Sequence, residues 1–380
     1  MKYLLIVLSI LLMVSPYGFS RTKLTTLPER QKIRIDMKNK SYTLAEEERT
    51  INLQKGKNYI EFAWKNTHID KSSIQFRNIH APGRVKTINI NYPPNESALF
   101  WEVYSDKAGP GKFRISYIIS NINKSISYEA IADKNERYMT LKTYFTLKNL
   151  TGEEFKNADI EINFGKNFKK SFKTGEAKKM LAAKFLQVPI LKKYIYDNYV
   201  DKNNVRMYYN LRNQKKHKLG KFPLQPGKVR IYQEDSSGSE AFTGEDWGKY
   251  TPVGQTMDLY LGQAKEVKVK RYIYNKKERY TRKPVKDINM VIKYQVENFK
   301  KNTVPLILME HPGGQWIVNK IILKKEIGER NKKREIEISH DRMILLKRKD
   351  VNNLEIKFNV PKTNNMKYNI YLYITLKNRW

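Results

Sequence analysis

The chain has 380 residues, and 73 Lys and Arg against 38 Asp and Glu leave a formal net charge of +35. With 40% hydrophobic and 12% aromatic residues it holds enough apolar material for two or three packed domains, which excludes a wholly disordered chain. Cysteine is absent, which excludes disulfides, thiolate metal sites, cysteine nucleophiles and lipid attachment through an N-terminal cysteine.

Residues 1–20, MKYLLIVLSILLMVSPYGFS, start with a charge at Lys2 and continue with an apolar run from Tyr3 to Val14. Pro16 breaks the run, and Gly18 and Ser20 are small, as a cleavage site requires; this is the anatomy of a secretory signal peptide. The apolar run is shorter than the roughly 20 residues that span a bilayer. The expectation is an exported chain, periplasmic, cell-surface or secreted, whose mature part begins near Arg21; a retained anchor is the alternative. No other stretch reads as a transmembrane helix.

Residues 21–95 read as a small N-terminal β domain. Tyr59 and Glu61 alternate with Ile60 and Phe62 after a Lys55-Gly56-Lys57 turn, and Pro82-Gly83 and Pro93-Pro94 punctuate the rest. Residues 96–165 read as a middle β region. There Phe113, Ile115 and Tyr117 alternate with Arg114 and Ser116. Leu141, Thr143, Phe145 and Leu147 form a second alternating run, and Ile160, Ile162 and Phe164 a third. The Asn149–Gly152 turn between the last two predicts a hairpin. Residues 166–221 are rich in Lys, and Glu176–Gln187 (EAKKMLAAKFLQ), stopped by Pro189, carries strong helix formers; the expectation is a basic, partly helical or flexible insert. Residues 222–380 return to strands, with alternation through Ile288–Val296, Leu354–Val360 and Ile370–Leu376, and a His311–Gly314 reversal between Val304–Glu310 and Trp316–Leu323. Short alternating strands at this spacing predict a mainly β fold of antiparallel, sandwich-like domains.

The block Leu219–Tyr232 (LGKFPLQPGKVRIY) resembles the "LGxPLPAGxVRVY" element of the DUF4139 family of uncharacterised exported bacterial proteins. The likeness continues through Phe242–Asp246, Thr251-Pro252 and Leu259–Ala264. Upstream, Leu99–Trp101 with Ser105–Gly109 is similar to the family's "LLW…SDKAG" element, and Asn149–Asp159 to its "NxSGxxYxDA" hairpin. Glu310 and Trp316 fall where the family places Glu and Trp around a hairpin tip. The resemblance spans about residues 45–380 and lacks the coiled-coil insertion of mucoidy-inhibitor-like members. It implies an exported β protein and brings no reaction and no catalytic residues with it.

His68, His80, His217, His311 and His340 show no metal-ligand spacing, and surface polar roles are expected for them. No GxSxG elbow, phosphate loop or dinucleotide fingerprint is present, and nothing nominates a serine nucleophile. Two segments stand out. Between Ile231 and Gly248 there is no Lys or Arg, yet Glu234, Asp235, Glu240, Glu245 and Asp246 are acidic. This island reads as a hairpin with an Asp-Ser-Ser-Gly-Ser tip, as a partner for the basic insert, or as a carboxylate site for Ca²⁺ or general acid–base work. No cofactor is otherwise implied. The second segment, Lys268–Lys286, sets nine basic residues among Tyr272, Tyr274 and Tyr280. Lys268, Lys270, Arg271, Tyr272, Tyr274, Arg279, Tyr280 and Arg282 form a candidate anion-binding face, and a strand with long Lys stems on its wet side explains the same residues.

Charge of this size favours anionic partners. A general Lys bias, with basic residues scattered through almost every segment, accounts for it equally. Export makes nucleic acid the poorer partner. The function expected is binding or scaffolding of anionic envelope glycan, lipid headgroups or another envelope protein. The alternative is a carboxylate-dependent enzyme acting on an envelope polymer.

Overall fold

A computed structural model describes residues 20–25, 32–39, 42–64, 67–282, 284–327, 334–339, 343–363 and 366–380. Residues 1–19 of the expected leader (1–20) and His340 lie outside the described residues, and Ser20 opens the first strand. The chain divides into two compact units, Met1–Ile126 with Tyr144–Ala183, and Ser127–Thr143 with Lys184–Trp380.

Most of the described residues lie in strands. In chain order these are β1 (Ser20–Thr25), β2 (Lys32–Asp36), β3 (Thr43–Leu53), β4 (Gly56–Ala63), β5 (Gln75–Asn78), β6 (Val85–Asn91), β7 (Ala98–Ser105) and β8 (Gly109–Ile119). Next come β9 (Ile122–Ala132), β10 (Tyr138–Asn149), β11 (Phe155–Glu161), β12 (Phe168–Phe172), β13 (Ala177–Asp197) and β14 (Val205–Arg212). The remainder are β15 (Gly227–Glu234), β16 (Glu240–Gly248), β17 (Thr256–Ala264), β18 (Val267–Arg282), β19 (Val285–Asn298), β20 (Val304–Glu310), β21 (Trp316–Ile327), β22 (Arg334–Ile338), β23 (Ile344–Arg348), β24 (Leu354–Val360) and β25 (Lys367–Arg379). Among the described residues helix is confined to two single 3₁₀ turns, Lys71–Ser73 and Lys215–His217. Among the described residues no helix is long and apolar enough to cross a membrane.

The first unit carries a four-stranded sheet, β1-β4-β7-β6, and a six-stranded sheet, β12-β11-β2-β3-β8-β5. Alternation makes the core: β3 buries Thr43, Ala45, Glu47, Arg49, Ile51 and Leu53 on one face. Between the sheets Phe62 meets Trp101 and Tyr117, and Phe76 stacks on Trp101 and Phe113 at 4.7 Å each. Glu47 and Arg49 are buried in this core as an ion pair, and Tyr117 donates its hydroxyl to Glu47.

The second unit packs a five-stranded sheet, β18-β19-β25-β21-β22, on strands of a ten-stranded sheet, β16-β15-β9-β10-β13-β20-β24-β23, with β14 and β17 attached through β13. Its core takes Val269, Ile292, Tyr294 and Val296 from one side and Leu306, Leu308, Ile356 and Phe358 from the other. β25, flanked by β19 and β21, buries an unbroken run from Tyr368 to Leu372. Three of the sheets are mixed, since β1 with β4, β2 with β11, β9 with β15 and β13 with β20 run parallel, and the five-stranded sheet is antiparallel.

Three local expectations are overturned. Glu176–Gln187 is no helix; Ala177–Asp197 is one long strand, with Pro189 inside it. Met180 and Ala182, and Tyr194 and Tyr196, are buried in alternation, but Ala182, Phe185 and Val188 between them step by three, which imitates a helical stripe, and Gln187 at φ 52° marks the break in the pleat. Sheet pairing outweighs the helix propensity of Ala, Leu and Lys: β13 is hydrogen-bonded to β10 in the ten-stranded sheet, and its ladders with β14 and β20 begin only at Ile190. The hairpin expected around Asn149–Gly152 does not form either, because β10 and β11 belong to different sheets. The Asn149 amide fixes that corner by donating to the carbonyls of Glu153 and Lys173 while its oxygen accepts from Thr151. His311–Gly314 likewise carries the chain from β20 in one sheet to β21 in the other.

Candidate anion-binding site

The acidic island is a hairpin. β15 and β16 pair antiparallel from Gly227↔Gly248 to Glu234↔Glu240. The Asp235 carboxylate accepts from the Ser237 hydroxyl and from the amides of Ser239 and Ser237, and these bonds hold it below the usual carboxylate range. Gly238 supplies the positive φ of 82° that the tip requires. Glu245 reaches Lys228 at 2.7 Å and Arg230 at 3.5 Å, and the Lys228 bond lowers its pKa. Asp246 accepts the Tyr260 amide at 2.7 Å, tying β16 to β17. Asp235, Glu245 and Asp246 are thus held by their own hairpin or its neighbour, and Glu234 and Glu240 face each other at its mouth. Trp247 is exposed, and Trp316 is buried with its indole N–H donating to the Val351 carbonyl. Among the described residues no group of three or more His, Asp or Glu is placed to hold a metal ion.

The basic segment is an edge. β18 pairs only with β19, and from Tyr272 to Tyr280 it is exposed on both faces. Its base, Val267–Tyr272, borders a groove of about 600 Å³ whose lining includes Lys202, Lys265, Lys268, Lys270, Arg271 and Tyr272. The four lysines have no ion-pair partner among the described residues, and Lys268 lies 5.5 Å from the Phe299 ring centroid. A groove walled by unpaired cations focuses positive potential, which draws oxyanions and weakens with salt.

The remaining residues of the expected face behave differently. The Arg271 guanidinium turns inward and donates to both carboxylate oxygens of Glu310, which also accepts from the Tyr294 hydroxyl. Burial opposes the charge on Arg271, but Glu310 outweighs it and raises the pKa; burial beside that carboxylate also drives the Tyr294 hydroxyl well up. Tyr274 packs edge-on against Tyr371 at 5.4 Å, and Lys286 lies 5.7 Å from the Tyr280 ring. Arg279 sits opposite Asp287. The side chain of Arg282 lies outside the described residues.

Sequence reasoning missed Lys202 and Lys265, which come from the β13–β14 and β17–β18 turns and carry no motif. It also missed the setting of His311. That ring is half-buried, not a free surface group: Nε2 lies 3.0 Å from both Asp197 carboxylate oxygens and Nδ1 2.5 Å from the Asn353 amide oxygen. The Asn353 amide nitrogen donates to Asp350, which fixes the orientation of its oxygen toward His311. Tyr199 covers the ring edge-on at 4.9 Å. No family model matches the chain, and no curated protein matches it.

Proposed function

We propose that the protein is an exported, envelope-associated binding module that holds anionic surface components, phosphate or carboxylate groups of glycans or lipid headgroups, in the lysine groove beside β18. The observation that carries this reading is the convergence of Lys202, Lys265, Lys268 and Lys270, none ion-paired among the described residues, on one groove at an exposed strand edge. The leader-like residues 1–20 and the likeness of Leu219–Tyr232 to the DUF4139 family support export. Oxyanion recognition by several lysines is a matter of point charges, so specificity for one headgroup is low and salt dependence is steep.

The test is co-sedimentation of the full chain with phosphatidylcholine vesicles containing phosphatidylglycerol, and separately with an acidic polysaccharide, over a salt series. Retention is expected to fall steeply with salt. The K268E/K270E and K202E/K265E variants are expected to reduce it at least tenfold. Retention that is absent, insensitive to salt or unchanged in both variants overturns the reading; the arm that retains protein tells lipid from glycan.

A further inference from the structure

The outer face of the four-stranded sheet in the first unit is built differently. The registers align Arg21, Tyr59, Glu102 and Asn89 in one row across β1, β4, β7 and β6, and Lys23, Glu61, Phe100 and Asn91 in the next. These rows surround a dish of about 430 Å³ lined by Arg21, Tyr59, Asn89, Asn91, Phe100 and Glu102. Two aromatic rings lie half-buried in it, and the Arg21 guanidinium stands 5.5 Å from the Phe100 centroid.

Three cations of this face are held by two carboxylates. Arg21 and Lys23 both pair with Glu61, at 2.9 and 3.3 Å, and Lys57 pairs with Glu102 at 3.0 Å. The dish therefore lacks the unpaired cations of the lysine groove, and its three cations are each engaged by a carboxylate. What it presents is ring faces next to short polar groups. An aromatic face is electron-rich and accepts the weakly positive C–H face of a sugar ring. Asn amides, with two donors and an acceptor each, and a carboxylate–guanidinium set can bond neighbouring hydroxyls in pairs. Strands about 4.8 Å apart spread four such positions over roughly 14 Å, the extent of a short oligosaccharide.

We infer that this face is a binding site for an uncharged glycan, with Tyr59 and Phe100 as the stacking platform and Asn89, Asn91, Glu102 and Arg21 reading the hydroxyls. The site shares no residue with the lysine groove and stands independently of it.

Titration calorimetry of the full chain with uncharged oligosaccharides, cello-oligomers and chito-oligomers, tests the inference. Binding that persists at high salt is expected with at least one series. Phe100→Leu, which keeps an apolar side chain but removes the ring face, and Asn91→Ala, at an exposed position, are each expected to weaken it at least tenfold. The K268E/K270E variant is expected to bind as the parent does. The inference is overturned if neither series binds, if Phe100→Leu and Asn91→Ala both bind at parental strength with native circular dichroism, or if K268E/K270E abolishes binding. Because the anion test reads the other unit, either reading can fail without the other.

Discussion

Arg271 separates a structural role from a ligand role within one basic segment. In Arg271→Met the Glu310 carboxylate, 6% exposed, loses both guanidinium bonds and keeps the Tyr294 hydroxyl. Removing one member of a buried ion pair costs about 3–5 kcal/mol, because the remaining charge stays desolvated and uncompensated. Arg271 is itself 14% exposed at the groove, so water reaches the mouth of the pair and the lower end, about 3 kcal/mol, is expected. The double variant Arg271→Met/Glu310→Leu removes both charges and should recover most of that loss, to within about 1–2 kcal/mol of the parent. Urea titration followed by circular dichroism, fitted for the transition of the second unit, measures all three proteins. The same variant should keep salt-dependent retention on anionic vesicles, since the four groove lysines remain. A single variant within about 0.5 kcal/mol of the parent, or a double variant no better than the single, would refute the buried-pair argument. Loss of retention equal to that of K268E/K270E would reassign Arg271 to the ligand.

Two further outcomes follow from local geometry. Glu335 is burdened by desolvation, but bonds from Lys293, Tyr371 and Asn369 outweigh it and lower its pKa; at Glu61 the partners that outweigh burial are Arg21 and Lys23. A carboxylate whose folded pKa lies below its unfolded value, about 4.3 for Glu, stabilises the fold above that value and ceases to do so as pH falls through the folded one. Thermal midpoints are therefore expected to hold between pH of about 7 and 5.5 and to drop below about 4.5; midpoints that rise on acidification contradict the sign. Gly220 has φ 76°, and a Cβ there would sit 2.5 Å from the Lys215 backbone nitrogen, whereas Gly238, at φ 82°, opens onto free space. Gly220→Ala should lower stability by more than about 2 kcal/mol and Gly238→Ala by about 1 kcal/mol, compared as urea midpoints; equal losses would show that the clash is relieved without cost.

Much of the architecture was legible because alternation is a local property. Ile288 to Val296 and Leu354 to Val360 announced strands, and the Asp-Ser-Ser-Gly-Ser tip announced its own hairpin, since the residues that cap that turn lie within five positions of each other. β13 was illegible because the middle of it, Ala182, Phe185 and Val188, buries every third residue, and only its place beside β10 in the sheet holds it extended. His311 looked like a turn residue for the same reason: Asp197 and Asn353, its partners, lie 114 and 42 positions away.

The candidate sites divide in the same way. The basic character of Lys268–Lys286 could be read directly, but its division into a paired Arg271 and unpaired Lys268 and Lys270 depended on Glu310 arriving from β20. The dish on β1, β4, β7 and β6 had no signature at all, since its six lining residues come from four strands spread between positions 21 and 102. Side-chain alternation and turn chemistry are set by neighbours along the chain, so the sequence alone determined a mainly β protein with an exposed basic strand. Which strands become neighbours, and hence which charges are neutralised and which face a groove, is decided by packing between distant segments, and only the tertiary structure carries that.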